Sequence, residues 1–253
     1  MKTTFKIIVI VLVAVFYGCQ KNDVSPEVSS SISSDGAFSG TIVNDSNRID
    51  FIKAYDYIVD SYNIFEDSII LGKSAVSSSG KFSLVLAKPV LIKIGIVYSG
   101  VVVSDTTAMV GSMAGFDAYK GGIKIGTINK GNYRLIDTTK VEICSSQFMY
   151  SDRAFTIIGT EIYKNTYNGI TSNDTSNYNI TVKKGWNEIT WVGFYSGTPT
   201  TATIVETNSN TVTSEMQWRY IPESAPISTI RTKTRGVPGF YSDKSTVAVS
   251  RKY

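Results

Sequence analysis

The 253 residues contain no histidine and only two cysteines, Cys19 and Cys144. Without an imidazole the chain cannot build a Ser-His-Asp triad, a Cys-His pair or a histidine-ligated zinc or iron site. Helical periodicity is missing too: after residue 36 no stretch repeats its apolar residues at 3.6 for more than two turns. No apolar run reaches the roughly 20 residues that cross a bilayer as a helix. Nor does the chain carry a strong charge of one sign. The whole-chain charge is +4, with Lys2 and Lys6 at the start and a net +4 after residue 221, which leaves −2 for residues 19–221. A nucleic-acid footprint needs basic residues clustered on the folded part, and the sequence gives no such cluster.

What is present begins with an export signal. Lys2 and Lys6 supply a positive start, residues 7–17 are continuously apolar, and Gly18-Cys19 closes the run at a small residue and a thiol. An ordinary secretory cut wants small residues at A-x-A spacing, which neither Ala14-Val15-Phe16 nor Phe16-Tyr17-Gly18 supplies. The stretch resembles a bacterial lipoprotein signal, cut before the cysteine, whose thiol is then acylated. Phe16 and Tyr17 stand where such signals usually carry leucine and a small residue. The resemblance implies residues 1–18 as signal peptide, Cys19 as the lipidated, palmitate-bearing residue, and the membrane as a partner through that lipid. Lys21 and Asp23 just beyond are similar to the charged signals that send lipoproteins of Bacteroidota to the cell surface, which implies a surface-exposed outer-membrane location. Cys144 is then the one thiol left for this chain, so no intramolecular disulfide and no Cys-x-x-Cys metal site is expected. It lies in the strand-like stretch 141–144, without a basic sequence neighbour, and reads as a small buried hydrophobe.

Residues 19–36 are polar and serine-rich and read as a flexible tether. From residue 37 the period is two and the punctuation is Gly, Asn, Asp and Ser, which predicts strands throughout. The length suits one large or two modest domains, at roughly 100 to 200 residues each. The division expected is a first β module over 37–140, a second over 141–221 and a basic Pro/Ser/Thr-containing tail over 222–253. In the first, strands are expected at 51–57, 81–86, 91–98, 101–103, 115–119 and 123–128, with Ser77-Ser78-Ser79-Gly80 as a hairpin turn and Lys120-Gly121-Gly122 as another. In the second they are expected at 154–163, 177–183, 186–194, 201–207 and 214–220, with 178–191 forming a hairpin about Lys183-Lys184-Gly185. Gly40, the 51–57 strand and Gly80-Lys81-Phe82-Ser83-Leu84 together resemble the transthyretin-like or carboxypeptidase-regulatory-like β-sandwich. The 178–191 stretch is similar to a hairpin of Bacteroidota surface lipoproteins. The fold class expected is therefore all-β: two Ig-like or transthyretin-like antiparallel β-sandwich modules after a signal peptide and tether.

Several constellations give way to plainer readings. Ser78-Ser79-Gly80-Lys81 fits S-x-x-K, but that chemistry wants a helix start and these residues make a turn. Asn44-Asp45-Ser46-Asn47 and Ser172-Asn173-Asp174 lack the ligand order of a calcium loop, so no metal and no cofactor is expected. Asp67-Ser68-Ile69, Asp105-Thr106-Thr107 and Asp137-Thr138-Thr139 are similar to O-glycosylation sites of exported Bacteroidota proteins. A glycoside hydrolase needs two facing carboxylates, and the acids here are scattered singly. The binding site is expected where 164–176, read as a long polar connection, meets 195–200, so that Tyr167, Asn173, Asp174 and Tyr195 combine ring faces with hydrogen-bonding groups, as sugars require. The function expected is a non-enzymatic surface module that binds a glycan or a partner protein and no nucleic acid. The alternatives are a structural or adhesin subunit and, third, a carboxylate-dependent hydrolase.

Overall fold

The computed structural model describes residues 32–44, 48–57, 68–95, 99–137, 139–167, 170–198, 201–212 and 215–223. The expected signal peptide, Cys19, most of the tether and the tail beyond residue 223 lie outside the described residues. Among the described residues there is no α-helix, and the protein is built from strands.

The first half carries β1 (Ala37–Thr41), β2 (Phe51–Tyr57), β3 (Ser68–Ala75), β4 (Lys81–Val85), β5 (Ile92–Lys93), β6 (Val101–Val103), β7 (Met109–Ser112) and β8 (Gly115–Lys120). Longer strands follow: β9 (Ile123–Asp137), β10 (Lys140–Ser151), β11 (Phe155–Tyr167), β12 (Ile170–Val182), β13 (Gly185–Gly197), β14 (Thr201–Ser209) and β15 (Gln217–Pro222). Thirteen of them form one sheet whose main path runs β3-β2-β8-β9-β10-β13-β14-β12-β11-β6, with β15 on β9, β7 on β10 and β5 on β7. The other two, β1 and β4, pair as a separate small sheet. Every ladder is antiparallel except the one between β12 and β14, which is parallel.

Two hairpins read from the sequence are corrected by this topology. Ser77–Gly80 does close a tight turn, with Gly80 N donating to Ser77 O at 2.8 Å and Ser77 N to Lys81 O at 2.9 Å. Its flanks do not form a ladder, because β3 pairs with β2 while β4 crosses over to β1. Likewise β12 and β13 turn about Lys183-Lys184 but do not pair, since β14 lies between them in the sheet. The corner is held instead by Asn187, whose side chain accepts from Lys183 N at 2.8 Å and donates to Lys183 O at 2.8 Å and Gly185 O at 2.9 Å. The stretch expected as a connection over 164–176 is also strand: β11 runs on to Tyr167 and β12 begins at Ile170. Strand content predicted over 91–98 is shorter than expected, being confined among the described residues to β5.

Two large apolar cores form on opposite faces of β10 and β13. Side chains alternate along a strand, and Phe148 enters the first core while its neighbour Met149 enters the second. Trp186 and Ile189 divide in the same way, and residues 185–191 of β13 are buried without interruption. The first core centres on an aromatic group from five strands. Phe38 lies 5.5 Å from Phe148 and 5.8 Å from Trp218, and Trp218 lies 5.2 Å from both Phe82 and Phe116. Such ring pairs contribute about 0.5–1.5 kcal/mol each beyond the area they bury. Gly40 belongs to this packing, because a Cβ there would stand 2.5 Å from Trp218 Nε1 and 2.7 Å from Phe82 Cζ. Trp218 comes from the last described strand, so the late part of the chain completes a core begun by the first.

The ladder between β9 and β10 spans the 140/141 position where the sequence divides the modules, and β15 returns to β9. Beside the first core, Lys130 Nζ and Ser146 Oγ both donate to Glu188 Oε1 at 2.5 Å, with Glu188 wholly buried. A charge taken out of water this far is retained only because it is paired, and removing one partner of such a pair costs about 3–5 kcal/mol. Cys144 is buried with Val212 and Met216 in a third, smaller cluster. Replacing Trp218 with alanine is expected to destabilise the whole protein by about 3–5 kcal/mol, read by denaturant unfolding as one shifted transition. A loss confined to a minor early transition would contradict this packing.

Candidate functional site

Residues paired across neighbouring strands share one face of a sheet. On β11, β12, β14 and β13 this rule builds three successive rows. The first is Gly159, Tyr178, Asn208, Trp191; the second is Glu161, Ser176, Glu206, Gly193; the third is Tyr163, Asp174, Ile204, Tyr195. The row before them, with Ile157, Ile180 and Ile189, belongs to the second core. The face therefore passes along the strands from apolar interior to an open acidic and aromatic surface. Tyr178, Asn208 and Trp191 are buried, Glu206 and Ser176 are buried, Asp174 and Tyr195 are half-buried, and Tyr163 is exposed.

Why a run as poor in strand formers as Thr171-Ser172-Asn173-Asp174-Thr175-Ser176-Asn177 is extended follows from its edges. β12 is bonded to β11 on one side and to β14 on the other, and two full ladders outweigh a weak residue preference. At the second row, Gly193 makes room for a ring: a Cβ there would meet Trp191 Cη2 at 2.6 Å and Cζ2 at 2.7 Å. The indole thus lies over Gly193 and reaches toward Tyr195, with ring centroids 6.2 Å apart.

Hydrogen bonds tie the polar groups of the face together. Ser176 Oγ donates to Glu206 Oε2 at 3.1 Å, Tyr178 Oη donates to Glu161 Oε2 at 3.5 Å, and Ser172 Oγ donates to Asp174 Oδ1. At the inner end of the face, Trp191 Nε1, Asn208 Oδ1 and Ser145 Oγ are buried without a hydrogen-bond partner. Ser145 is the cross-strand partner of Trp191, so these three residues sit on one row. A buried polar atom left unpaired costs about 1–3 kcal/mol, which makes this row a store of unused hydrogen-bonding capacity. Burial, then the charges of Glu206 and Asp174, push the Tyr195 phenol well above its ordinary pKa. No Lys or Arg occupies the three rows.

Of the residues expected from sequence, Asp174 and Tyr195 fall on the same row with Ile204 between them. Asn173 does not join them. It is exposed and shares its rung with Lys164 and Thr203, one residue out of step with Asp174 and so on the opposite face of β12. Tyr167 pairs with Ile170 at the end of the β11–β12 ladder, and its side chain lies outside the described residues. Glu161, Ser176, Tyr178, Trp191 and Glu206 were missed. For Ser176 the signal was the alternation in 172-174-176-178, hidden by a composition read as a connection; the other four lie in stretches read as strands, and what was missing was the pairing that aligns them.

Among the described residues no group of three His, Cys, Asp or Glu side chains is placed to hold a metal ion. No helix of the described part is long and apolar enough to cross a membrane. No protein-family model, no curated protein and no solved structure matches the chain.

A phenol whose pKa is raised on folding contributes stability that is complete below the unfolded value of 10.0 and is lost as pH rises toward the folded value. Tyr195→Phe is therefore expected to remove part of the alkaline loss of stability above pH 10. Equal alkaline denaturation of the two proteins would show that Tyr195 titrates as it does in water.

Proposed function

We propose that this protein is a non-catalytic binding module of the cell envelope that takes a neutral or amino-bearing glycan on the acidic and aromatic face of β11, β12, β14 and β13. The observation that carries the reading is the row holding Asp174 and Tyr195 beside the carboxylate of Glu206. Sugars pack C–H faces on rings and give their hydroxyls to carboxylates and amides, and the two kinds of group alternate here. Three carboxylates on the face oppose an anionic ligand. Lipid on Cys19 would hold the module at the outer membrane, facing outward, with no cofactor and no nucleic acid among its partners. The fold that accompanies this reading is a pair of Ig-like or transthyretin-like modules, one for each large core, sharing β10 and β13 as a common layer.

A structural or adhesin subunit is the second reading, favoured by the exposed apolar side chains Val102, Ile158 and Ile162 along β6 and β11. A hydrolase using Glu161 and Glu206 is a third.

The full chain with Cys19→Ala, recovered from the soluble fraction, is the material for the test, with a panel of neutral polysaccharides and chitosan as probes. Retention without release of reducing ends is expected. Tyr195→Ala should weaken it about tenfold, or ~1.4 kcal/mol, with little change in Tm. Turnover that disappears in Glu206→Gln would make the protein an enzyme. Absence of retention by every probe would favour the structural role, and a Cys19→Ala protein still bound to membranes would remove the anchor.

A further inference from the structure

We infer that a second, oppositely charged site lies on the outer face of β3, β2 and β8, and that its ligand is an acidic polysaccharide. Phe51 and Tyr119 are cross-strand partners whose rings stack at 4.9 Å and 6°. The Lys73 ammonium sits 4.1 Å from the Phe51 centroid, and the Lys53 ammonium sits 4.3 Å from that of Tyr119 and 5.8 Å from that of Phe51. Lys53 and Lys73 are themselves direct partners across β2 and β3. Like charges placed opposite one another on adjacent strands destabilise a sheet. Neither ammonium has a carboxylate within ion-pair distance among the described residues. Asp117, the other cross-strand partner of Lys53, is taken by Lys124 at 2.8 Å.

The arrangement holds two cations on one rung over a stacked pair of aromatic rings, on a face where Lys73 is exposed and Lys53 half-buried. Attraction to the rings limits where the ammoniums go, but it leaves their mutual repulsion standing. A carboxylate or sulfate bridging the two relieves that repulsion and adds charge-assisted hydrogen bonds. Because the rings stack on each other and carry lysines, they do not offer the open faces that single-stranded nucleic acid needs for base stacking. Two lysines are also a small attraction for a membrane, at about 1 kcal/mol each near an anionic surface. The two lysines are neighbours across the β2–β3 ladder, and a linear chain carrying an acidic group on each sugar presents such a bridging anion repeatedly.

The site is separate from the acidic face of β11 to β13, and the two are told apart by their variants. The probes are polygalacturonate, dextran as its neutral counterpart, and phosphatidylglycerol vesicles, with binding to the full chain carrying Cys19→Ala followed by calorimetry at low and moderate salt. Polygalacturonate is expected to bind in a salt-dependent way and dextran not to compete at this site. The double variant Lys53→Gln, Lys73→Gln should lose at least tenfold in affinity without a fall in Tm, because it removes a repulsion. Lys81→Gln and Tyr195→Ala should leave polygalacturonate binding unchanged. No binding by the parent chain, binding untouched in the double variant, or capture of vesicles in preference to polygalacturonate would each overturn the proposal.

Discussion

Everything else in the fold depends on β13 being buried on both faces. A strand with one wet side alternates polar and apolar residues, but from Gly185 to Trp191 each residue is covered. Trp186 on one side needs the aromatic core of Phe38, Phe148 and Trp218, and Ile189 on the other needs the aliphatic core of Ile157, Ile180 and Val110. With β10 as its antiparallel partner over twelve registered pairs, it forms a middle layer. Both halves of the chain contribute to each side of that layer, Trp186 and Trp218 joining the first core and Ile94, Val101 and Val110 joining the second. Neither core closes without residues distant in sequence, as Trp218 and Phe38 illustrate in the first.

Polar groups brought into such a layer must be matched, and the protein treats its two ends differently. Near the first core, Glu188 has both Lys130 and Ser146 on one oxygen, so the charge is paired where water is absent. Farther along the opposite face, the second core gives out and the side chains become Glu206, Asp174 and Tyr195, open to solvent by degrees. The proposed glycan face is thus the continuation of the second core, with Glu206 and Ser176 still buried and exposure rising through Asp174 and Tyr195 to Tyr163. The lysine pair on β2 and β3 belongs to the other half of the sheet and carries the opposite sign, so two kinds of ligand could be held without competing.

Much of the architecture was legible in the sequence, for reasons particular residues make plain. Alternation marked β2 at its observed bounds of Phe51–Tyr57, and Lys120-Gly121-Gly122 marked the turn between β8 and β9. What was not legible was pairing. Ser77–Gly80 and Lys183-Lys184 are good turns, yet the strands they join go to different neighbours, and turn chemistry holds no information about that choice. The parallel seam between β12 and β14 likewise has no local signature. For the candidate site, Asp174 and Tyr195 were singled out by their chemistry and do share a row, whereas Glu161 and Glu206 lie in stretches read as strands at 154–163 and 201–207 but join that face only through the pairing of β11, β12 and β14. The Lys53–Lys73 rung was invisible because it exists only once β2 and β3 are in register.

Native-state hydrogen exchange followed residue by residue tests the shared layer most directly. The amides of Trp186 to Trp191 should exchange only through global unfolding, and amides packed in both cores should share that same free energy. Two separate sets of opening energies, with one core releasing β13 while the other stays protected, would contradict the account.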